Sequence, residues 1–117
     1  MDFELNDDLR ALQDVARDFA AEHIAPNARQ WDREADIPRS VVAQLAELGF
    51  LGIFTPSEYG GFGFGDLEAT VIMEEIARHC GATALMLDAH NALSSAHLIL
   101  AGTEEQKAKY LPRLAKG

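Results

Sequence analysis

Residues 49–65 read GFLGIFTPSEYGGFGFG and separate two helix-like parts of the chain. The stretch contains six of the nine glycines, one proline and five aromatic residues. Glycine accepts backbone angles that other residues reject, and proline fixes its own φ and removes a donor. We therefore predict that this stretch, called the glycine loop below, is a shaped turn pinned by aromatic side chains between two helical halves.

A phosphate-binding loop is the alternative interpretation of these glycines. Residues 60–65 read GGFGFG, which is neither the G-x-G-x-x-G fingerprint nor a Walker loop, and no Lys-Ser or Lys-Thr pair follows. The spacing favours a structural turn over a nucleotide site.

Composition narrows the classes of function. The 117 residues are 48% hydrophobic, which suits one modest globular domain. The formal net charge of −9 opposes binding to nucleic acids and to anionic membranes. A single cysteine, no signal peptide and no membrane-length apolar run lead us to expect a soluble, cytoplasmic protein without a membrane span.

Apolar periodicity predicts an all-α fold, a bundle of about five to six helices with the glycine loop between its halves. The predicted helices cover residues 7–24, 38–48, 66–80, 82–101 and 103–111, and a short helix or turn is expected within 26–37. Predicted boundaries are a left-handed Gly49, an N-cap at Asp66, a helix end at Gly81, a Thr103–Gln106 capping box, and a final turn from Pro112.

Residues 82–101 form the most apolar predicted helix, and a helix that is apolar all round is expected to be buried. Polar residues nevertheless occur within it, namely Asp88, His90, Asn91, Ser94, Ser95 and His97. Two interpretations remain open: these side chains bond to neighbouring helices, or some of them line a ligand groove.

The sequence contains no complete catalytic or metal-binding apparatus. His90 and His97 are two helical turns apart, about 10 Å, which is too far for both to bind one metal ion. Glu74 and Glu75 are adjacent and point to different faces, so one is expected in solvent and the other in an inter-helix contact. Cys80 is expected near the C-terminal end of a helix, where we interpret it as a packing residue.

Two stretches resemble a known family. Residues 47–65, ELGFLGIFTPSEYGGFGFG, resemble the segment of flavin-dependent acyl-CoA dehydrogenases that reads roughly ELGLLGI-PEEYGGLG. Residues 102–117, GTEEQKAKYLPRLAKG, are similar to the same family's GTEEQKxKYLPxLAxG stretch. The two motifs occur in the right order, and the resemblance extends over residues 1–117.

The resemblance implies that residues 1–117 form only the N-terminal helical domain of an enzyme that also has a middle β domain and a C-terminal four-helix bundle. Such an enzyme removes hydrogen from the α and β carbons of an acyl-CoA, uses FAD, and passes electrons to an electron-transfer flavoprotein. The family's catalytic glutamate and most of its flavin contacts belong to the other two domains. No catalytic or cofactor-binding residue is therefore assigned in this chain.

Within that family the helical domain forms one wall of the acyl-chain pocket, and residues 82–101 match the wall. The implied substrate-binding residues are Ala84, Leu85, Asp88, Asn91 and Ser95. Alone, the chain is expected to be inactive, to hold no FAD, and to self-associate through exposed apolar surface. Two alternatives remain: a helical binding module without redox activity, or the same domain of an acyl-CoA oxidase or flavin monooxygenase relative.

Overall fold

Six helical rods make up most of residues 3–117, the part of the chain that the computed structural model describes, and these residues contain no strand. The all-α prediction is confirmed. The helices are α1, Asp7–Phe19, which continues as a π-helical turn over Ala20–Ile24; α2, Ala28–Glu34; α3, Arg39–Glu47; α4, Asp66–Ala77; α5, Gly81–Asp88; α6, Ala96–Ala101; and α7, Glu104–Lys116.

Helices α5 and α6 belong to one continuous rod. A π-helical segment, Ala89–Ser95, joins them, and backbone angles at its flanking residues stay helical. Residues 81–101 are called the central rod below. Because only residues 78–80 connect α4 to α5, α4 packs antiparallel against the start of this rod.

The glycine loop is a closed structural turn, as predicted. Two 3₁₀ turns, Phe50–Gly52 and Ser57–Tyr59, shape it, and Gly49 adopts the predicted left-handed conformation with φ of 80°. At Gly61 an added Cβ would lie 2.1 Å from the Thr55 carbonyl oxygen, so no larger residue fits without moving the backbone.

The buried amide of Asn91 attaches the glycine loop to the central rod. Its Oδ1 accepts a hydrogen bond from the Ile53 N–H at 3.0 Å. Its Nδ2 donates to the carbonyl oxygens of Phe50 at 2.9 Å and Leu87 at 3.0 Å. Asn91 has no exposed surface, so these bonds satisfy backbone groups that water cannot reach.

A buried carboxylate joins α1 to α4. The side chain of Glu75 is 1% exposed and accepts hydrogen bonds from Gln13 Nε2 at 2.9 Å and from Arg17 Nη2 at 3.2 Å. The hydrogen bond and charge of Glu75 raise the pKa of Arg17. Glu74 is exposed and lies 4.0 Å from Arg78, so the expected division of roles between the two glutamates is confirmed.

Several helix boundaries differ from those predicted. Gly65, not Asp66, precedes α4, because the carboxylate of Glu68 accepts a hydrogen bond from the Gly65 N–H at 3.0 Å. Gly81 begins α5, and Cys80 is its N-cap, with its sulfur 3.4 Å from the Thr83 backbone nitrogen.

At the other end of the chain, the Thr103–Gln106 capping box is confirmed by reciprocal hydrogen bonds of 2.9 and 3.2 Å. Pro112 lies inside α7 instead of starting a final turn. Because proline has no backbone N–H, α7 lacks one helical hydrogen bond at this position. The neighbouring side chains of Leu111 and Ala115 are buried and keep this part of α7 packed against the core.

The central rod is less buried than its composition predicted. Leu85, Leu93 and Leu100 are 68%, 58% and 85% exposed, while Leu87 is fully buried. The apolar residues go all round the rod, but the described chain covers only one side of it. Within residues 3–117, no helix combines the length and hydropathy that crossing a bilayer requires.

We predict that Asn91→Ala lowers the free energy of unfolding by about 3 kcal/mol, because it leaves buried backbone groups of Phe50 and Ile53 without partners. Urea unfolding followed by circular dichroism measures the change. Asn27→Ala is the matched control, since Asn27 is half-buried and its amide donates to the carbonyl of His23, one turn earlier. Equal losses for the two variants would contradict the role assigned to Asn91.

We also predict that Arg17→Ala destabilises the fold more when Glu75 is present than in a Glu75→Gln background. The reason is that Arg17 compensates a buried charge, and the neutral glutamine of that background carries none. The control is Arg10→Ala, whose ion pair with Glu4 is exposed, and its expected cost is below about 0.5 kcal/mol. Additive effects of the Arg17 and Glu75 substitutions would refute the coupling.

Candidate functional site

A groove of about 580 Å³ runs between α4 and the central rod. Most of its lining is apolar, from short alanine side chains and a few larger residues. Its length along α4, from Asp66 to Ala77, is about 17 Å at the rise of an α-helix. The lining residues are Phe54, Asp66, Ala69, Thr70, Met73, Glu74, Ala77, Ala84, Leu85, Asp88 and Ala92.

Three of the five residues predicted to bind substrate line this groove. Ala84, Leu85 and Asp88 lie on the side of the central rod that faces α4. Asn91 and Ser95 are not among the lining residues, and both are fully buried. The Asn91 amide bonds to backbone groups, whereas the Ser95 hydroxyl has no hydrogen-bond partner within residues 3–117.

The other wall of the groove comes from α4 and the glycine loop. On α4, Ala69, Met73 and Ala77 recur every four residues and so share one face. This repeat of small and flexible side chains could have indicated, from the sequence alone, which side of α4 faces the groove. Phe54 of the glycine loop, which also lines the groove, carried no such signal, because only the tertiary fold brings the loop there.

The charged residues of the groove are all acidic. Asp66, Glu74 and Asp88 line it, and no Lys, Arg or His is found among its described lining residues. Oε1 of Glu74 lies 4.0 Å from Nη2 of Arg78. Asp66 lies in the first turn of α4, where the helix dipole favours a negative charge. The Asp88 side chain is exposed and makes no hydrogen bond or ion pair with any residue from 3 to 117.

The two histidines of the central rod bond to backbone carbonyls. His90 Nε2 lies 2.9 Å from the Leu114 oxygen, which links the rod to α7. His97 Nδ1 contacts the oxygen of Leu93, one turn earlier. No group of three or more metal-binding side chains occurs in the described part of the chain.

The glycine loop does not fit the pyrophosphate of a flavin dinucleotide. Such a group would need free backbone donors, as in known phosphate loops. Every N–H from Gly60 to Phe64 instead donates to a carbonyl oxygen of the same loop, with distances of 2.8 to 3.3 Å. We therefore assign no cofactor contact to this loop.

Comparison with known proteins identifies the fold. The family model described as "Acyl-CoA dehydrogenase, N-terminal domain" matches residues 6–117. The mitochondrial isovaleryl-CoA dehydrogenase of Pongo abelii is 43% identical over 97% of this chain and 27% of its own length.

Two solved structures have the same fold. A chain in the structure of the electron transferring flavoprotein of Acidaminococcus fermentans superposes with a TM-score of 0.93 at 36% identity, over 100% of this chain and 31% of its own. A glutaryl-coenzyme A dehydrogenase bound to glutaryl-CoA gives a TM-score of 0.91 at 37% identity, over 99% of this chain and 30% of its own.

This chain therefore spans less than a third of the length of each of these relatives. The match with the family model covers all of the described helices from α1 to α7. The chain belongs to the acyl-CoA dehydrogenase family, a family of flavin-dependent oxidoreductases, and corresponds to its N-terminal helical domain.

Proposed function

We propose that this chain acts as the N-terminal domain of a flavin-dependent acyl-CoA dehydrogenase and supplies one wall of its acyl-chain pocket. The observation that carries the proposal is the groove between α4 and the central rod. It is lined mainly by alanines, Phe54, Met73 and Leu85, a surface suited to a hydrocarbon chain. The family membership of the chain supplies the chemical class of the ligand, an acyl-CoA thioester.

The groove is a half-site in this proposal. Leu85 is 68% exposed although it is apolar and lines the groove. Covering a leucine side chain contributes about 1.5–3 kcal/mol, so a surface of this kind favours a second apolar layer. In our proposal that layer consists of the acyl chain and of the β domain and C-terminal bundle of the same enzyme.

The remaining functions belong to those two domains. We propose that they supply the catalytic glutamate and most of the FAD contacts, and that an electron-transfer flavoprotein accepts the electrons from the complete enzyme. The 117-residue chain supplies shape and apolar surface. By itself it is then inactive and self-associates through the uncovered side of the central rod.

The first expected outcome concerns the chain alone. After incubation with excess FAD and gel filtration, the 117-residue protein is expected to elute as a helical protein without flavin absorbance. The physical reason is that the glycine-loop donors are already bonded within the loop. Flavin that elutes in stoichiometric amount with the protein would show that this chain holds the cofactor by itself.

The function itself is tested in a complete enzyme. We propose to join this chain to the β domain and C-terminal bundle of the Pongo abelii isovaleryl-CoA dehydrogenase, in place of the matching segment. The chimera is expected to bind flavin and to oxidise acyl-CoA thioesters. Leu85→Gln is then expected to lower kcat/KM about tenfold, because a polar amide replaces apolar pocket surface.

The matched control for that variant is Leu67→Gln. Leu67 is also an exposed helical leucine, at 56%, but it does not line the groove. Its substitution is expected to change kcat/KM by less than about twofold. A chimera that is folded and yellow yet inactive with butyryl-, isovaleryl- and octanoyl-CoA would refute the proposed function.

A further inference from the structure

We infer that this groove selects acyl groups whose far end is uncharged and rejects dicarboxylic acyl groups, with Asp88 as the specificity-determining residue. The inference rests on the proposed function, because it names the substrate class of the same groove. It goes beyond the comparisons, since one similar structure is a glutaryl-coenzyme A dehydrogenase bound to a dicarboxylic substrate.

The position of Asp88 supports the inference. It lies about halfway along the rod side of the groove, one turn from Ala84 on one side and from Ala92 on the other. Ala84 and Ala92, the outermost lining residues of the rod side, each lie about 6 Å along the rod from Asp88. That distance is comparable to the Debye length at physiological ionic strength, about 8 Å.

The surroundings of Asp88 do not neutralise its charge. No described cation lies within ion-pair distance of its carboxylate, and the other charged side chains of the groove, Asp66 and Glu74, are also acidic. A terminal carboxylate on the substrate would add a fourth negative charge to a groove whose lining, within residues 3–117, contains no basic residue. An uncharged hydrocarbon end meets Phe54, Met73 and Leu85 instead.

Coulomb's law gives the size of the expected discrimination. Two carboxylates about 6 Å apart, at an effective dielectric constant of about 20, repel strongly enough to lower an affinity on the order of a hundredfold. Like-charge repulsion of this kind is a recognised means of rejecting a wrong ligand. When other domains cover the groove, solvent screening falls and the repulsion increases.

Pentanoyl-CoA and glutaryl-CoA test the inference, because both acyl groups have five carbons and only glutaryl has a second carboxylate. In the isovaleryl-CoA dehydrogenase chimera, kcat/KM is expected to favour pentanoyl-CoA by about a hundredfold. Calorimetric titration with each thioester gives the same comparison without turnover. Asp88→Asn is expected to remove most of this roughly hundredfold preference, mainly through a lower KM for glutaryl-CoA.

Two further variants complete the design. Asp88→Ala repeats the loss of charge with a different side chain, which separates charge from shape. Asp32→Asn removes an exposed helical aspartate outside the groove and is expected to leave the preference within about twofold of its original value. This chain with Asp88 intact, placed in a glutaryl-coenzyme A dehydrogenase carrier, is expected to lower the preference of that enzyme for glutaryl-CoA, and the two Asp88 variants are expected to restore it.

The outcomes separate the two proposals. If the chimera oxidises pentanoyl-CoA and glutaryl-CoA equally well, or if Asp88→Asn and Asp88→Ala leave the preference unchanged, the inference is overturned while the proposed function stands. If folded, flavin-loaded chimeras in both carriers neither bind nor oxidise either thioester, the proposed function fails and the inference fails with it.

Discussion

The hydrogen bonds of the Asn91 amide are the constraint on which this arrangement depends. A side-chain amide with no exposed surface satisfies one donor and one acceptor of the glycine loop and a third group on its own rod. Because unpaired polar groups are costly in the interior, the loop has one favourable position against the rod. The loop then places Phe54 in the lining of the groove.

Phe54 is held through its neighbours in the chain. Ile53 on one side bonds to Asn91, and its carbonyl accepts a hydrogen bond from the Phe64 N–H at 2.8 Å. Thr55 on the other side accepts from the Gly63 N–H at 2.8 Å. The position of Phe54 is therefore fixed by backbone bonds within the loop and by one amide from the rod.

Sequence patterns that span only a few residues predicted the structural features that depend only on neighbouring residues. The left-handed Gly49 and the Thr103–Gln106 capping box follow from residues a few positions apart, and both are present. The family resemblance implied that Ala84, Leu85 and Asp88 bind substrate, and all three line the groove. The partners of Asn91 lie 38 and 41 residues away, so no local pattern distinguished a loop-binding amide from one in a groove.

The exposed leucines show a second limit of sequence reasoning. Composition correctly indicated that the central rod has apolar residues on all sides, but it does not tell which element covers each side. The π-helical segment Ala89–Ser95 adds to this, because it shifts the faces of the rod relative to a regular 3.6-residue period. Leu85, Leu93 and Leu100 remain uncovered within the described residues, as expected if further domains pack there.

Each side of the groove is fixed by its own buried polar group. Asn91 holds the rod and loop together, and Glu75 holds α4 against α1 through Gln13 and Arg17. Apolar contacts alone tolerate small shifts between helices, whereas these bonds are lost if the helices slide. In the proposed function, a wall held in this way needs little reordering when the acyl chain binds, so more of the burial free energy is available for affinity.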